Sequence, residues 1–205
     1  MSTNLQALTV SDEVAADPNG ISESAAVGNN AALVIGGALH VGAAIDFGAG
    51  GRKVVVTSGG NDTAISFTIV GTDVNDTALT ESLTGANTGD ATSTNFFKTL
   101  ASITAVGNPA GTVIAGSTAD CAQVISSSNG ARLKGLSVVS GGSAGVINLH
   151  NTSPTGTIVF KARTVGTDNT TVDQTIPDDG IVFSAGCYVT YTVATIDMMT
   201  FFFKG

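Results

Sequence analysis

The chain has no tryptophan, two tyrosines and nine phenylalanines, so aromatic residues make up 5% of its 205 positions. A core must therefore be built from Val, Ile, Leu and Ala, with Phe as the bulky pieces. Charge is equally scarce: Asp, Glu, Lys and Arg are 12% of the residues, about half the usual share. Eight Lys and Arg stand against sixteen Asp and Glu, a net charge of -8 with a pI near 4.4. Eight scattered cations do not make the basic patch that a nucleic acid requires, and the same shortage argues against a membrane surface. No apolar run approaches the ~20 residues that span a bilayer. The first cation is Arg52, so the start of the chain lacks the basic region of a secretory signal, and folding in a cytoplasm is the expectation. Two cysteines, Cys121 and Cys187, are too few for a disulfide framework. They read as two small buried thiols.

What fills the chain instead is glycine, 26 of them, with Ser, Thr, Asn and short β-branched runs. Such a surface desolvates readily against another protein, because few charges lose their water. Residues 1–50 differ from the rest. They hold no helical or strand period for more than a few positions, carry polar clusters such as Ser11-Asp12-Glu13 and Ser22-Glu23-Ser24, and have no aromatic residue before Phe47. They read as an extended N-terminal arm (1–30) and a lead-in (31–50). Ordering ~50 residues costs on the order of 50 kcal/mol of backbone entropy. So little apolar bulk suggests ordering only against a partner.

From Arg52 strands are expected at regular spacing. Val54–Thr57 is followed by a hairpin signal at Gly59-Gly60-Asn61-Asp62. Ala64–Val70 places Ile65, Phe67 and Ile69 on one face. Thr77–Thr84, Ala91–Thr99, Ser102–Val106 and Thr112–Ala115 complete a β-rich domain over 51–125. Ser126–Gly130 reads as a linker. A C-terminal β-sandwich or jelly-roll-like domain over 131–205 follows, with strands at Arg132–Val139, Val146–His150, Thr157–Arg163, Val172–Ile176, Ile181–Phe183, Cys187–Val193 and Met198–Phe203. The fold class is all-β. Val-Gly-Thr-Asp occurs at Val70–Asp73 and at Val165–Asp168, which in so Gly- and Thr-rich a chain reads as chance rather than as a repeat.

Catalytic chemistry has little to stand on. Gly141-Gly142-Ser143-Ala144-Gly145 matches the letters of a nucleophile elbow, but that turn needs a helix after it, and Val146–His150 alternates like a strand. His40 and His150 are the only histidines. They lack the ligand spacing for zinc with the two isolated cysteines. The glycine clusters Gly48–Gly51 and Gly141–Gly145 lack the Lys-Ser/Thr of a phosphate loop. Asp62, Asp73 and Asp76, like Asp168, Asp173, Asp178 and Asp179, read as turn residues rather than calcium ligands. The chain is not expected to be an enzyme or to hold a cofactor or metal. The densest apolar stretch is Met198–Phe203. With Met199, Phe201 and Phe203 toward a core, Met198 and Phe202 fall on the opposite face. There they mark either a subunit contact or a strand covered on both sides. Met198, Phe202, Arg52 and Lys53 are the candidate interface residues.

The stretch Arg52–Ala115 resembles virion proteins of tailed bacteriophages. The residues concerned are Val54-Val55-Val56-Thr57-Ser58, Ile65–Asp73, Thr80–Asn87, Thr92-Ser93-Thr94, Phe97-Lys98-Thr99 and Ser102–Ala105. Gly180-Ile181 and Tyr188-Val189-Thr190-Tyr191 are similar to small β-modules on phage particles. The resemblance implies a head decoration, or cement, protein on the outer capsid surface. Its partner would be the major capsid protein, and it would form a homo-oligomer with a trimer favoured. A tail or fibre module binding host carbohydrate, or another tail component, is the alternative. The resemblance brings no site residues.

Overall fold

A computed structural model describes residues 4–11, 15–42 and 44–205; Asp12 and Glu13 of the polar N-terminal cluster lie outside these. Every regular element among the described residues is a strand, as the alternating patterns require. The first half contains β1 (Gln6–Ser11), β2 (Ser22–Ala26), β3 (His40–Val41), β4 (Ala44–Asp46), β5 (Gly51–Asn61), β6 (Ser66–Thr72), β7 (Ala78–Thr84), β8 (Asn87–Thr92) and β9 (Thr99–Val106). It is followed by β10 (Thr112–Ser126), β11 (Ala131–Ser140), β12 (Val146–Asn151), β13 (Ile158–Arg163) and β14 (Thr170–Thr175). Last come β15 (Ile181–Phe183), β16 (Cys187–Thr192) and β17 (Ile196–Lys204). They form three antiparallel sheets.

The chain divides into two compact units, Ala16–Ala119 and Met1–Ala15 with Asp120–Gly205. The division falls inside β10 rather than in Ser126–Gly130. The reason is that β10 runs 15 residues, where a four-residue strand was expected, and contributes to both units.

In the unit 16–119, one sheet runs β3-β4-β9-β6-β7. A second layer holds β5, β8, β2 and the first half of β10. Phe67, Ile69, Leu83, Leu100 and Ile103 from the first pack with Val54, Val56, Val113 and Ala115 from the second in one buried cluster. The expected face of Phe67 and Ile69 is thus the core face. Residues 16–50 are part of this unit. Leu33 donates its amide to Ile103 O and Ala105 donates to Ala31 O, so residues 31–33 cover one end of the β9 edge. Ile45 and Asp46 pair with Leu100 and Thr99 and cover the other end. Two short pieces thereby blunt an edge that a single long strand would leave open to other chains.

The unit 1–15 with 120–205 is also two-layered. One sheet runs β1-β17-β11-β14, with β15 beside β11. The other runs β13-β12-β16 and the second half of β10. Met199, Phe201, Leu136, Val138 and Val10 of the first sheet are buried, as are Ile147, Leu149, Ala162, Val189 and Tyr191 of the second.

The extended N-terminal arm is not present. β1 pairs with β17 in unbroken register from Gln6↔Phe203 to Ser11↔Met198. Ile21, Leu33 and Ile45 are buried within the chain. The entropy of ordering this segment is offset by backbone pairing with distant strands, which local periodicity cannot reveal. Two further expectations shift. Gly59 and Gly60 lie within β5 rather than in a hairpin loop, because the backbone of Thr112 and Ala110 packs against their bare Cα atoms. β8 ends at Thr92 and the chain leaves the sheet. Glu81 accepts hydrogen bonds from the amides of Thr94 (2.6 Å) and Asn95 (3.0 Å), and Ser93 Oγ accepts one from Val54 N (2.9 Å).

Candidate functional site

Strand alternation fixes what the outer face of the β1-β17-β11-β14 sheet presents. Directly opposed residues share a face, so Ala7, Phe202, Gly135 and Thr175 form one row across the four strands. Thr9, Thr200, Ser137 and Asp173 form the next, and Ser11, Met198, Val139 and Thr171 the third. Met198 is 43% and Phe202 36% exposed, while Met199 and Phe201, one residue on, are fully buried. Of the two readings left open for this strand, coverage on both sides within one chain is the one the structure does not adopt.

The hydroxyls between the apolar positions are tied laterally. Thr9 Oγ1 and Thr200 Oγ1 share a hydrogen bond of 3.0 Å, and Ser137 Oγ donates to Asp173 Oδ1 at 2.5 Å. These bonds satisfy polar groups without binding them to water, which lowers the cost of covering the face. Gly135 has no side chain beside the Phe202 ring, and the sheet dips there into a groove of about 480 Å³ lined by Leu5, Lys134, Ser137, Asp173, Thr175 and Phe202 among others. Leu5 is exposed at its rim.

The other two sequence candidates sit elsewhere, in the unit 16–119. Arg52 is 4% exposed. Its backbone bridges Phe97 in both directions at 2.8 Å, and its guanidinium donates to Thr118 O at 3.4 Å. It is an internal brace and not a surface residue, because its strand is buried and its side chain turns inward to the backbone of Thr118. Lys53 is half-buried, its Nζ 5.3 Å from the centre of the Phe96 ring. The candidates therefore do not gather into one site; Met198 and Phe202 alone share a face.

His150 is buried, with Nδ1 2.9 Å from Gly156 O and Nε2 2.8 Å from Thr190 Oγ1. A carbonyl only accepts, so Nδ1 carries the proton and Thr190 donates to Nε2 when the ring is neutral. Ser143 lies between β11 and β12, with a strand where an elbow needs a helix. Asp73 Oδ1 accepts from the amides of Asn75 and Thr77 at 2.8 and 2.9 Å, and Asp76 pairs with Lys98 at 2.7 Å. Asp62 is fully buried and accepts from Ala110 N at 2.7 Å, while its Oδ2 has no hydrogen-bond partner. Among the described residues no three His, Cys, Asp or Glu side chains gather as a metal site. Cys121 and Cys187 are buried and not joined by a disulfide. Burial pushes the Cys187 thiol up to about 12 from its ordinary 9.0, since a thiolate there would lose its water.

Comparison with protein families, with curated proteins and with solved structures finds no match to this chain.

Proposed function

We propose that the chain is a structural protein of a tailed-phage virion, a decoration or cement protein that binds the outside of the head and ties neighbouring capsid subunits together. The observation that carries this reading is the outer face of the β1-β17-β11-β14 sheet, where Met198 and Phe202 stand exposed among Ser and Thr side chains. A face of this composition suits contact with another protein. The resemblance of Arg52–Ala115 to virion proteins supplies the setting. An acidic, weakly charged chain suits the outside of a shell better than its DNA-facing interior. Each contact is modest; a closed oligomer, a trimer in this reading, engages several capsid subunits at once and gains effective concentration.

The carbohydrate-binding alternative loses support from the position of the tyrosines. Tyr188 and Tyr191 are 6% and 4% exposed, so neither tyrosine offers a ring face to a sugar. The test of the decoration reading is co-sedimentation of the purified chain with empty heads of the phage that encodes it, prepared without it. Saturable binding that is lost in the Met198→Ser/Phe202→Ser variant is the expected result. Wild-type chain left in the supernatant at saturating heads contradicts the reading.

A further inference from the structure

β1 is the strand of its unit that lies on the far side of an insertion. The chain leaves the unit 1–15 with 120–205 after β1, runs through all of Ala16–Ala119, and returns at Asp120. β1 stands at the end of its sheet and, among the described residues, pairs with β17 alone. Its side chains hold it there weakly: Gln6, Ala7, Thr9 and Ser11 are exposed, Leu8 is half-buried, and Val10 is buried. What fixes it is the backbone ladder with residues 198–203 and the hydrogen bond between Thr9 Oγ1 and Thr200 Oγ1.

Charges, prolines and bulges keep a sheet edge from accepting foreign strands. β13, at the end of the other sheet, has Lys161, Arg163 and a register slip between Leu149 and His150. The β1–β17 pair has none of these within its six residues. From Gln6↔Phe203 to Ser11↔Met198 the register is unbroken, and Gln-Ala-Leu-Thr-Val-Ser carries no charge and no proline. The connection that follows β1 is short. Asp17 O accepts from Ser117 N at 2.8 Å, which fastens Asp17 to the unit 16–119. Residues 12–16 are all that lie between Ser11 and Asp17, a reach of about 20 Å, or roughly four strand spacings.

We propose that β1 is exchanged between copies of this chain: residues 6–11 of one copy leave their own β17 and pair, in the same register, with β17 of a second copy. The occupant of this edge is specified, because β1 already fills it. A second copy brings the same six residues, so a foreign β1 restores the ladder, the Thr9–Thr200 bond and the burial of Val10 that the native one gives up. Each copy gives one β1 and takes one, so the exchange closes as a ring with no β17 left bare. Concentration decides between the two arrangements. A strand on a short connection meets its own β17 at an effective concentration of mM order, so at about 10 μM the closed single chain dominates by roughly a hundredfold. Copies held side by side on a surface approach that effective concentration, and exchange then links them. The inference goes beyond binding to heads and does not rest on it; its test uses the chain alone, so that either can fail while the other stands.

Disulfide trapping reads the exchange. Thr9 and Thr200 are directly opposed, their Oγ1 atoms 3.0 Å apart, so thiols in their places are within reach of a disulfide. Cys121 and Cys187 are buried and do not compete. The double variant Thr9→Cys/Thr200→Cys, treated with oxidised glutathione at about 10 μM, should close within one chain, as the excess of the single-chain arrangement requires. The single variants Thr9→Cys and Thr200→Cys are then mixed, folded, at about 0.5 mM with the same oxidant. Expected is a covalent dimer whose cross-linked peptide joins residue 9 of one variant to residue 200 of the other, at about tenfold or more the yield of a collision control. That control is Thr9→Cys mixed with Val182→Cys, an exposed position on β15 that β1 does not pair with. A yield no higher than the control, while the double variant closes within one chain, overturns the proposal. A double variant that does not close overturns it as well, since β1 then does not lie on β17.

Discussion

Cys187 shows how a single side chain ties burial to pH. Its folded pKa of about 12 lies above the ordinary 9.0, so the thiol's contribution is fully present below pH 9 and is lost as pH rises toward 12. Between those values the unfolded chain releases a proton that the folded chain keeps, and unfolding free energy should fall by about 1.4 kcal/mol per pH unit from this group. Denaturant titrations of wild type and Cys187→Ala from pH 8 to 11 check this, and the variant should have the shallower slope. The same burial should keep Cys187 unreactive to a thiol reagent at pH 8 until the chain unfolds. Glycines offer a second contrast at this scale. A Cβ at Gly60 would overlap the carbonyl of Ala110, whereas one at Gly89 meets nothing within 4 Å. Gly60→Ala should cost about 3 kcal/mol or more, and Gly89→Ala should stay within about 0.5 kcal/mol of wild type, both read by chemical denaturation. Met198→Ser and Phe202→Ser fall between these, at about 1 kcal/mol each, because both side chains are more than half buried on their own sheet and lose that share of their apolar burial. Loss of head binding by that pair reports on the contact once denaturation shows the variant folded under the binding conditions.

At the scale of elements, most of the strands were legible because period-2 alternation survives wherever one face is buried and the other wet. β6, β11 and β17 are of this kind. β13 is instructive where it departs. Strict alternation places Ile158 on one face with Phe160 and Ala162, yet Ile158 is exposed while Ala162 is buried. The register slips between Leu149 and His150, so that Phe160 faces Leu149 but Ile158 faces His150. One extra residue turns the strand end over, and no local pattern announces it. β1 was illegible for a different reason. Its partners are the residues 198–203 of β17, almost the whole chain away, and of its own side chains Val10 alone is fully buried, with Leu8 half-buried. That pairing makes an outcome definite. Residues 6–11 should resist limited proteolysis in the isolated chain. Deleting residues 1–11 should lower stability by at least ~2 kcal/mol, the burial of one Val, and expose the β17 edge to aggregation. An unprotected segment whose deletion is silent would return it to an arm.

At the scale of the whole molecule, the all-β class followed from turn residues at close spacing, and the two-unit organisation followed in part. The turn-rich stretch Ser126–Gly130 reads as a linker in the sequence, while the two compact units meet inside the continuous strand β10. Of the candidate site, Met198 and Phe202 could be read from alternation within one strand. Their neighbours across the face could not, because Ala7, Gly135 and Val139 meet them only through the pairing of β17 with β1 and β11. Arg52 misled for the converse reason: a charged residue at the start of a strand is normally solvated, and here it is walled in by Phe97 and Thr118. The central claim concerns where the chain resides. Immunogold electron microscopy, with antibody to the purified chain on intact phage particles, tests it most directly. The decoration reading expects label over the outer surface of the head at many sites per particle. Label confined to the tail, or particles without label, would contradict it.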